Sequence, residues 1–242
     1  MPFMEATVNC SLSNVIRNPI PAELKKLLPF PELDEDADEL PLGVQFNTFE
    51  CGGVGIGVCI PHKIGDALSF FTFVKNWAAT APGETDAVRR EFVSSSLFPP
   101  RNLSGFNPRT GITKDNITTK RFVFSASKIE EFRDQYTDQS TISLENLMKR
   151  RPSRVEALSA FLWSRFLASK PAPTNRVPLY EADFGWGKPL WVGSVSLAFS
   201  NVVTFMDTLT LSGDGIEVWI TLKEEAMAKL EVDNQLVLAT CS

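Results

Sequence analysis

Residues 54–80 read VGIGVCIPHKIGDALSFFTFVKNWAAT, and this stretch sets the class of the fold. The run from Val54 to Ile60 is apolar and has the length of a strand, which predicts a strand buried on both faces. Pro61 ends the run, and the segment from Asp66 onward has the length of a helix. Its apolar residues follow helical spacing at Leu68, Phe71, Val74 and Ala78. A strand, a short turn and a helix in succession indicate a mixed α/β protein.

The residues before this stretch predict a second strand and a turn. Val44 to Glu50 alternates apolar and polar side chains, which is the period of a strand. Gly52 and Gly53 follow, and glycine enters the positive-φ region that tight turns use. Gly53, Gly55 and Gly57 do not match the G-x-G-x-x-G nucleotide fingerprint. Close packing of the backbone explains these alternating glycines better.

Further elements continue the mixed pattern toward the middle of the chain. Lys120 to Phe124 is a strand candidate, after a loop from Pro99 to about Asn116. Two S-x-x-E capping patterns, at Ser127 and at Ser153, predict the starts of two helices. The second helix runs to about Ala168 and is apolar enough to be largely buried.

The last part of the chain predicts strands and a final helix. Strand candidates cover Leu190 to Leu197 and Asn201 to Met206. Ser212-Gly-Asp-Gly215 is typical of a hairpin turn, because Asp-Gly favours tight turns. Residues 216–222 then alternate apolar and polar side chains, which predicts a half-buried strand. Residues 223–230 predict a short helix.

Composition restricts the class of protein. The chain has 242 residues, of which 43% are hydrophobic, so it can bury a sizeable core. Its net charge of -5 gives no general attraction for nucleic acid or an anionic membrane. The acidic residues of 32–39 predict a solvated loop. With no secretory signal and no apolar run of about 18 residues, we expect a cytoplasmic protein without membrane spans.

The four cysteines and the single histidine limit the chemistry of a site. No two cysteines have C-x-x-C spacing, so neither a zinc site nor a redox motif is predicted, and we expect no metal. His62 is the only histidine, so any imidazole base working near neutral pH must be His62. It follows a strand and precedes a helix, with Asp66 four residues later. Taken alone, however, a single histidine is more often a structural residue.

Two motifs and their flanks resemble the BAHD acyltransferases of plants. His62-Lys-Ile-Gly-Asp66 matches the HxxxD motif, and Asp183-Phe-Gly-Trp-Gly187 matches the far more specific DFGWG motif, followed by Lys-Pro. The flanks around residues 49–53, 154–163 and 212–217 are also similar to this family. The branch that modifies alkaloids and acylsugars is the most similar in these features. The resemblance covers nearly the whole chain.

This resemblance implies a fold, an activity and a set of roles. The fold would be the two-domain architecture of chloramphenicol acetyltransferase, with a channel between the domains. Acyl-CoA would be a co-substrate, with no permanently bound cofactor, and an alcohol or amine would be the acceptor. His62 would be the general base, and acetyl-CoA the default donor. Asp66 would be structural, and so would the members of the second motif: Asp183, Phe184, Gly185, Trp186 and Gly187.

The sequence also departs from the family pattern. The chain opens in what resembles the middle of the first domain, and His62 and Asp183 are too close in sequence for this family. Pro171-Ala-Pro173 resembles a seam where an internal segment is missing. We therefore expect an incomplete fold, with residues 1–170 from the first domain and 171–242 from the second. The family's arginine partner of the HxxxD aspartate has no equivalent, which would leave Asp66 an unpaired buried carboxylate.

Two functional hypotheses follow, and a third is weaker. The first is an acyl-CoA-dependent acyltransferase acting on a plant specialised metabolite. The second is a marginally stable, catalytically inactive remnant that acts at most as an interaction partner. We expect a monomer, or association through exposed sheet edges, which are a template for pairing with another chain. A serine or cysteine hydrolase would also need His62, but the chain has no G-x-S-x-G elbow.

Overall fold

The computed structural model describes residues 2–30, 40–83, 93–97, 99, 116–138, 151–166, 174–176, 179–195, 200–208 and 215–240. The strands are β1 Phe3–Val8, β2 Gly43–Phe49, β3 Val54–Cys59, β4 Ile117–Phe124, β5 Thr174–Arg176, β6 Val202–Asp207 and β7 Ile216–Lys223. The helices are α1 Leu12–Arg17, α2 Pro21–Leu24, α3 Ala67–Thr80, α4 Ser94–Leu97, α5 Ala126–Asp138, α6 Arg154–Phe166, α7 Glu224–Glu231 and α8 Asn234–Thr240. Two 3-10 turns lie at Lys25–Leu27 and Leu179–Glu181. The mixed α/β class predicted from the sequence is confirmed.

The first sheet has the strand order β1-β2-β3, with β1 parallel and β3 antiparallel to β2. The turn between β2 and β3 is closed by the Phe49 N–H, which donates to the Gly53 carbonyl at 2.8 Å. Gly52 has a φ of 78°, which glycine adopts without strain. Both strands and the glycine turn predicted from the sequence are confirmed.

The prediction that β3 is buried on both faces was wrong. Val54 is 38% exposed, and of the residues of β3 only Gly57 is buried. The reason is position, because β3 is an outer strand of the described sheet. The prediction of close packing is confirmed at Gly57, where a Cβ atom would lie 2.0 Å from the carbonyl oxygen of Leu27.

Two polar residues of β2 are buried. Gln45 is 4% exposed and donates to the Lys26 carbonyl at 3.0 Å. Asn47 is 1% exposed and donates to the Leu27 carbonyl at 3.0 Å. These amides hold the 3-10 turn Lys25–Leu27 over the sheet and satisfy carbonyls that burial would otherwise leave unpaired.

The second sheet has the strand order β4-β7-β6-β5. Strands β4 and β6 are antiparallel to β7, and β5 is parallel to β6. The strand predicted at Asn201 to Met206 is confirmed as β6, and the predicted turn lies between β6 and β7, with residues 212–214 outside the described part. Strand β7 was predicted to be half-buried, but both faces are buried from Ile216 to Leu222. Helices cover one face, and apolar segments from elsewhere in the chain cover the other.

The main core lies between the second sheet and helices α5, α6, α7 and α8. Phe124, Ile129, Leu158, Val218 and Ile220 are all fully buried there. Burial of each such side chain stabilises the fold by roughly 1.5–3 kcal/mol. In α6, Leu158, Phe161 and Leu162 are buried as predicted, whereas Trp163 is 40% exposed.

The two predicted capping patterns have different outcomes. At α6 the pattern is confirmed: the Glu156 N–H donates to the Ser153 hydroxyl, and the Glu156 carboxylate accepts from the Ser153 N–H. At α5 the predicted start was wrong by two residues. The Ser125 hydroxyl accepts from the Lys128 N–H at 3.3 Å, so Ser125 takes the capping position and Ser127 lies inside the helix.

A second apolar cluster lies on the other face of the second sheet. Met206, Trp219 and Leu24 are buried in it, and Phe71 of α3 packs against them. Trp191, Val192 and Val195 also join this cluster without forming a strand. The strand predicted at Leu190 to Leu197 is therefore wrong for residues 190–195, because their side chains pack from irregular backbone; residues 196–197 lie outside the described part.

Strands from both sides of residue 170 form the second sheet, since β4 precedes that residue and β5, β6 and β7 follow it. The division into 1–170 and 171–242 stays a prediction. The acidic residues 32–39 and most of the predicted loop 99–116 lie outside the described residues. Within the described residues, no helix is long and apolar enough to cross a membrane.

Candidate active site

His62 lies in the turn between β3 and α3. The Ile64 N–H donates to the Pro61 carbonyl at 2.9 Å, which closes this turn around His62. The imidazole side chain is exposed. The edge of the first sheet therefore presents the only histidine of the chain to solvent and to any small molecule that binds there.

Asp66 caps the first turn of α3, which begins at Ala67. Its Oδ1 accepts a hydrogen bond from the Ser69 N–H at 2.8 Å. This hydrogen bond, followed by one from the Ser69 side chain and by a smaller effect of His62, lowers the pKa of the Asp66 carboxyl. The expectation of an unpaired buried carboxylate was wrong, because Asp66 is exposed and Ser69 is its partner.

Helix α3 connects the His62 turn to the second motif. Val74 and Ala78 are buried against Ala182, and Leu179 packs against the same cluster. Because Ala182 directly precedes the DFGWG stretch, the helix that follows the first motif carries the loop of the second motif on its side. The structure thus places both motifs against α3. The His62 turn, α3 and the DFGWG loop are together called the motif layer.

The DFGWG stretch forms a tight loop around one carboxylate. Asp183 Oδ1 accepts from the Gly185 N–H at 2.8 Å and from the Gly187 N–H at 3.0 Å. Gly185 has a φ of 91° and Gly187 a φ of 110°, a region that other residues enter with strain. The spacing of Asp and Gly in this motif is therefore what the loop geometry requires.

The aromatic residues of the loop attach it to both neighbouring elements. The Phe184 ring meets Trp77 of α3 edge-on, with 4.9 Å between ring centroids. The Trp186 ring stacks on Phe46 of β2 at 5.9 Å. Such pairs contribute about 0.5–1.5 kcal/mol beyond their buried area. The loop therefore rests on α3 and on the first sheet, and the roles predicted for its residues stay predictions.

Three large apolar side chains in the two motif segments and their neighbours are open to solvent. Ile64 is 54% exposed, Leu68 is 71% exposed and Trp186 is 59% exposed. A scattered exposed apolar residue is ordinary, but these three belong to the two motif segments and their immediate neighbours. This surface can receive an apolar molecule or a further layer of protein.

A buried ion pair near the loop was not found from the sequence. Arg121 donates to both carboxylate oxygens of Glu217, at 2.8 and 2.7 Å. The Glu217 side chain is 4% exposed and that of Arg121 is 23% exposed. The two residues are far apart in sequence, and only the register of β4 on β7 brings them together. No local pattern could have identified the pair.

Metal ligands are absent from the described part of the chain: no group of three or more His, Cys, Asp or Glu side chains there could hold a metal ion.

Comparisons with known proteins give the family. A family model described as Transferase family matches residues 1–176 and 172–237. Stemmadenine O-acetyltransferase of Catharanthus roseus is 29% identical over 334 aligned positions, which cover 99% of this chain and 77% of that enzyme. Because this chain has 242 residues, at least 92 of the 334 positions have no counterpart in it. The two matched segments of the family model overlap at residues 172–176, beside the predicted seam, and the position of the internal gap stays a prediction.

Solved structures support the same assignment. The crystal structure of vinorine synthase matches with a TM-score of 0.71 and 25% identity, over 97% of this chain and 75% of that chain. The F. sporotrichioides TRI101 structure, determined with coenzyme A and T-2, matches with a TM-score of 0.66 at 15% identity, over 98% and 80% of the two chains. The second match shows the fold alone. The predicted chloramphenicol acetyltransferase-like fold is confirmed, and the chain belongs to the BAHD family of acyl-CoA-dependent acyltransferases.

Proposed function

We propose that this chain transfers an acetyl group from acetyl-CoA to a hydroxyl group or amine of a plant specialised metabolite, with His62 as the general base. One observation carries the proposal. In a member of an acyl-CoA-dependent family, the only imidazole of the chain is exposed in the turn between β3 and α3. An imidazole can accept and release a proton near neutral pH, which is what the transfer requires.

The reaction needs one proton acceptor and no covalent acyl-enzyme. The acceptor oxygen or nitrogen attacks the thioester carbonyl while His62 takes its proton, and a new C–O or C–N bond forms. The tetrahedral intermediate then collapses, the C–S bond breaks and coenzyme A leaves as a thiolate. The proton held by His62 passes to that sulfur. A positioned base accelerates such a step by roughly 10²–10⁴-fold.

Asp66 and the second motif act through geometry in this proposal. Asp66 caps α3 and its carboxylate lies close enough to His62 for the imidazole charge to affect its pKa. Asp183 folds the loop that packs on the same helix. Neither carboxylate takes the proton of the acceptor.

An alcohol is the acceptor that the relatives favour. Stemmadenine O-acetyltransferase is named for the transfer of acetyl to an oxygen of an alkaloid. The exposed apolar side chains Ile64 and Leu68, two and six residues after His62, suit an acceptor with a large apolar body. We therefore expect a hydroxyl group on an apolar skeleton to react in preference to a small sugar.

Release of free thiol from acetyl-CoA tests this function. The purified chain is assayed with a panel of alkaloid and sugar alcohols, beside His62→Ala and the matched control Lys63→Ala, which changes an exposed neighbour in the same turn. We expect acceptor-dependent release that falls at least about 100-fold in His62→Ala and persists in Lys63→Ala. No release from folded wild-type protein would overturn the enzymatic function, and equal release by His62→Ala would overturn the role of His62.

A second candidate function is a catalytically inactive chain that pairs with other proteins. The 92 or more aligned positions without a counterpart favour it, since the relative has more protein than this chain over the aligned stretch. The described sheets end in β1, β3, β4 and β5, whose outer edges can pair with further strands. Sedimentation at increasing concentration distinguishes the two functions: a growing mass without thiol release supports pairing, and an active protein of constant mass contradicts it.

A further inference from the structure

Tyr180 closes the segment that contains the second motif. It lies in the 3-10 turn Leu179–Glu181, and its hydroxyl oxygen accepts a hydrogen bond from the Val192 N–H at 3.2 Å. The residues between them include the loop that Asp183 organises. One hydrogen bond therefore fixes both ends of the segment, and the Asp183 carboxylate fixes its middle.

Tyr180 also lies between two apolar clusters. Its neighbours Leu179 and Ala182 pack against α3. Its partner Val192 packs in the cluster around Trp219 of the second sheet. The Tyr180–Val192 hydrogen bond thus joins the layer that carries the motifs to the sheet that carries the main core.

The tyrosine hydroxyl stays neutral in this setting. Burial raises the pKa of Tyr180, and the nearby carboxylates of Glu217 and Asp207 raise it further, against the opposite effects of the Val192 hydrogen bond and Arg121. A neutral hydroxyl keeps the Val192 hydrogen bond unchanged over the pH range in which an imidazole base works. Tyr180 is therefore suited to hold structure and not to move a proton.

The Tyr180–Val192 hydrogen bond is called the clamp below. Helix α3 lies between the segment that this clamp closes and the turn that contains His62. Phe184 of the clamped segment meets Trp77 edge-on. At the other end of the same helix, Asp66 caps the first turn, four residues after His62. Helix α3 therefore carries the clamped segment toward its C-terminal end, and the turn that contains His62 directly precedes its capped N-terminal end.

We propose that Tyr180 is a positioning residue for the acyl transfer: its hydroxyl holds the second-motif loop on α3 and thereby fixes the turn that carries His62. This inference rests on the proposed function of His62. The position of the imidazole, however, can be measured without any turnover.

The experiment compares Tyr180→Phe with Tyr136→Phe in the full chain. These are the only two tyrosines, and Tyr136 packs against the main core, away from the motif loop, so its substitution is a matched control. Because His62 is the only histidine, its ring C–H signals are the only imidazole signals in a proton NMR spectrum. The same samples are used for amide exchange at Val192 and for kcat and KM with acetyl-CoA.

We expect three changes in Tyr180→Phe and none in Tyr136→Phe. The Val192 amide exchanges about three to ten times faster, which corresponds to the loss of one net hydrogen bond. The His62 signals shift or broaden. The kcat value falls about three- to tenfold while KM changes less than about twofold, because positioning and not binding is lost.

Two results would overturn the inference. Unchanged His62 signals in Tyr180→Phe mean that the clamp does not reach the imidazole. Changed signals with an unchanged kcat in an active protein mean that the clamp is structural only. If the wild type shows no turnover, the proposed function fails, and the His62 signals alone then decide whether Tyr180 positions the imidazole.

Discussion

The main core of the second sheet and the layer that carries His62 are built differently. In the core, Phe124, Val218 and Ile220 are fully buried between the sheet and four helices. In α3, the buried residues are Val74 and Ala78 alone. The core therefore buries most of the apolar surface that stabilises the fold, and the motif layer leaves more of its side chains open to solvent. Substitutions in the two regions should therefore affect different measurements.

The largest expected effect on stability comes from the core. Phe124→Ala removes a fully buried ring that contacts Phe132 and Phe161, and we expect the free energy of unfolding to fall by about 3–5 kcal/mol. Leu68→Ala in the motif layer removes a side chain that is 71% exposed and should cost less than about 0.5 kcal/mol. Urea unfolding measures both. Equal costs would break the distinction between the two regions.

The buried ion pair should give the next largest effect. Glu217→Ala leaves the Arg121 guanidinium partly buried without its bidentate partner, and we expect a loss of about 2–3 kcal/mol, the Arg121 exposure reducing the cost of a fully buried pair. Glu231→Ala removes the partner of Lys120 in an exposed pair between α7 and β4 and should cost less than about 1 kcal/mol. A similar cost for both variants in urea unfolding would contradict the importance of burial.

The motif loop should show backbone strain when its glycines change. Gly187→Ala places a side chain at a φ of 110° with nothing within 4 Å, so its cost, about 1–3 kcal/mol, measures the φ alone. Gly185→Ala has a φ of 91° and would also bring a Cβ atom to 3.3 Å from Pro82, so we expect it to cost slightly more. Thermal unfolding compares the two variants. A neutral Gly187→Ala would contradict the loop geometry.

The smallest effect concerns the cap of α3 and depends on pH. The lowered pKa of Asp66 stabilises the fold above the carboxyl's unfolded pKa, and this stabilisation is lost as pH falls through the lower, folded pKa. We expect Asp66→Ala to lower the melting temperature at pH 7 and to differ less from the wild type in strong acid. Asp66→Asn keeps a capping side chain but removes the charge, so its difference from the wild type isolates the pH-dependent part. A constant difference for Asp66→Ala at every pH would contradict this account.

Local patterns predicted the elements whose signals lie within a few residues of each other. The Gly52 turn, the capping box at Ser153 and the position of α3 were found in this way. The order of the two motifs, Asp183 included, gave the family and the fold. The local elements depend on propensity and spacing, which a sequence shows directly, whereas the family and the fold came from the resemblance of the two motifs to those of known proteins.

The features that the sequence did not predict depend on contacts between distant segments. Gln45 and Asn47 are buried because the 3-10 turn Lys25–Leu27 lies over them. Glu217 is buried because β4 places Arg121 beside it. The anchor of Asp66 was sought in a distant arginine, but the helix that it caps supplies it locally. In each case the partner, and not the residue itself, decides the environment.

Chemical rescue of the acyl transfer tests the central claim most directly. His62→Gly removes the imidazole at an exposed turn, where imidazole added to the solution can take its place. We predict that added imidazole restores acceptor-dependent thiol release to His62→Gly and leaves the wild type and Lys63→Ala unchanged. A folded His62→Gly protein that turns over like the wild type, or that gains nothing from imidazole while the wild type is active, would contradict the role of His62 as the base.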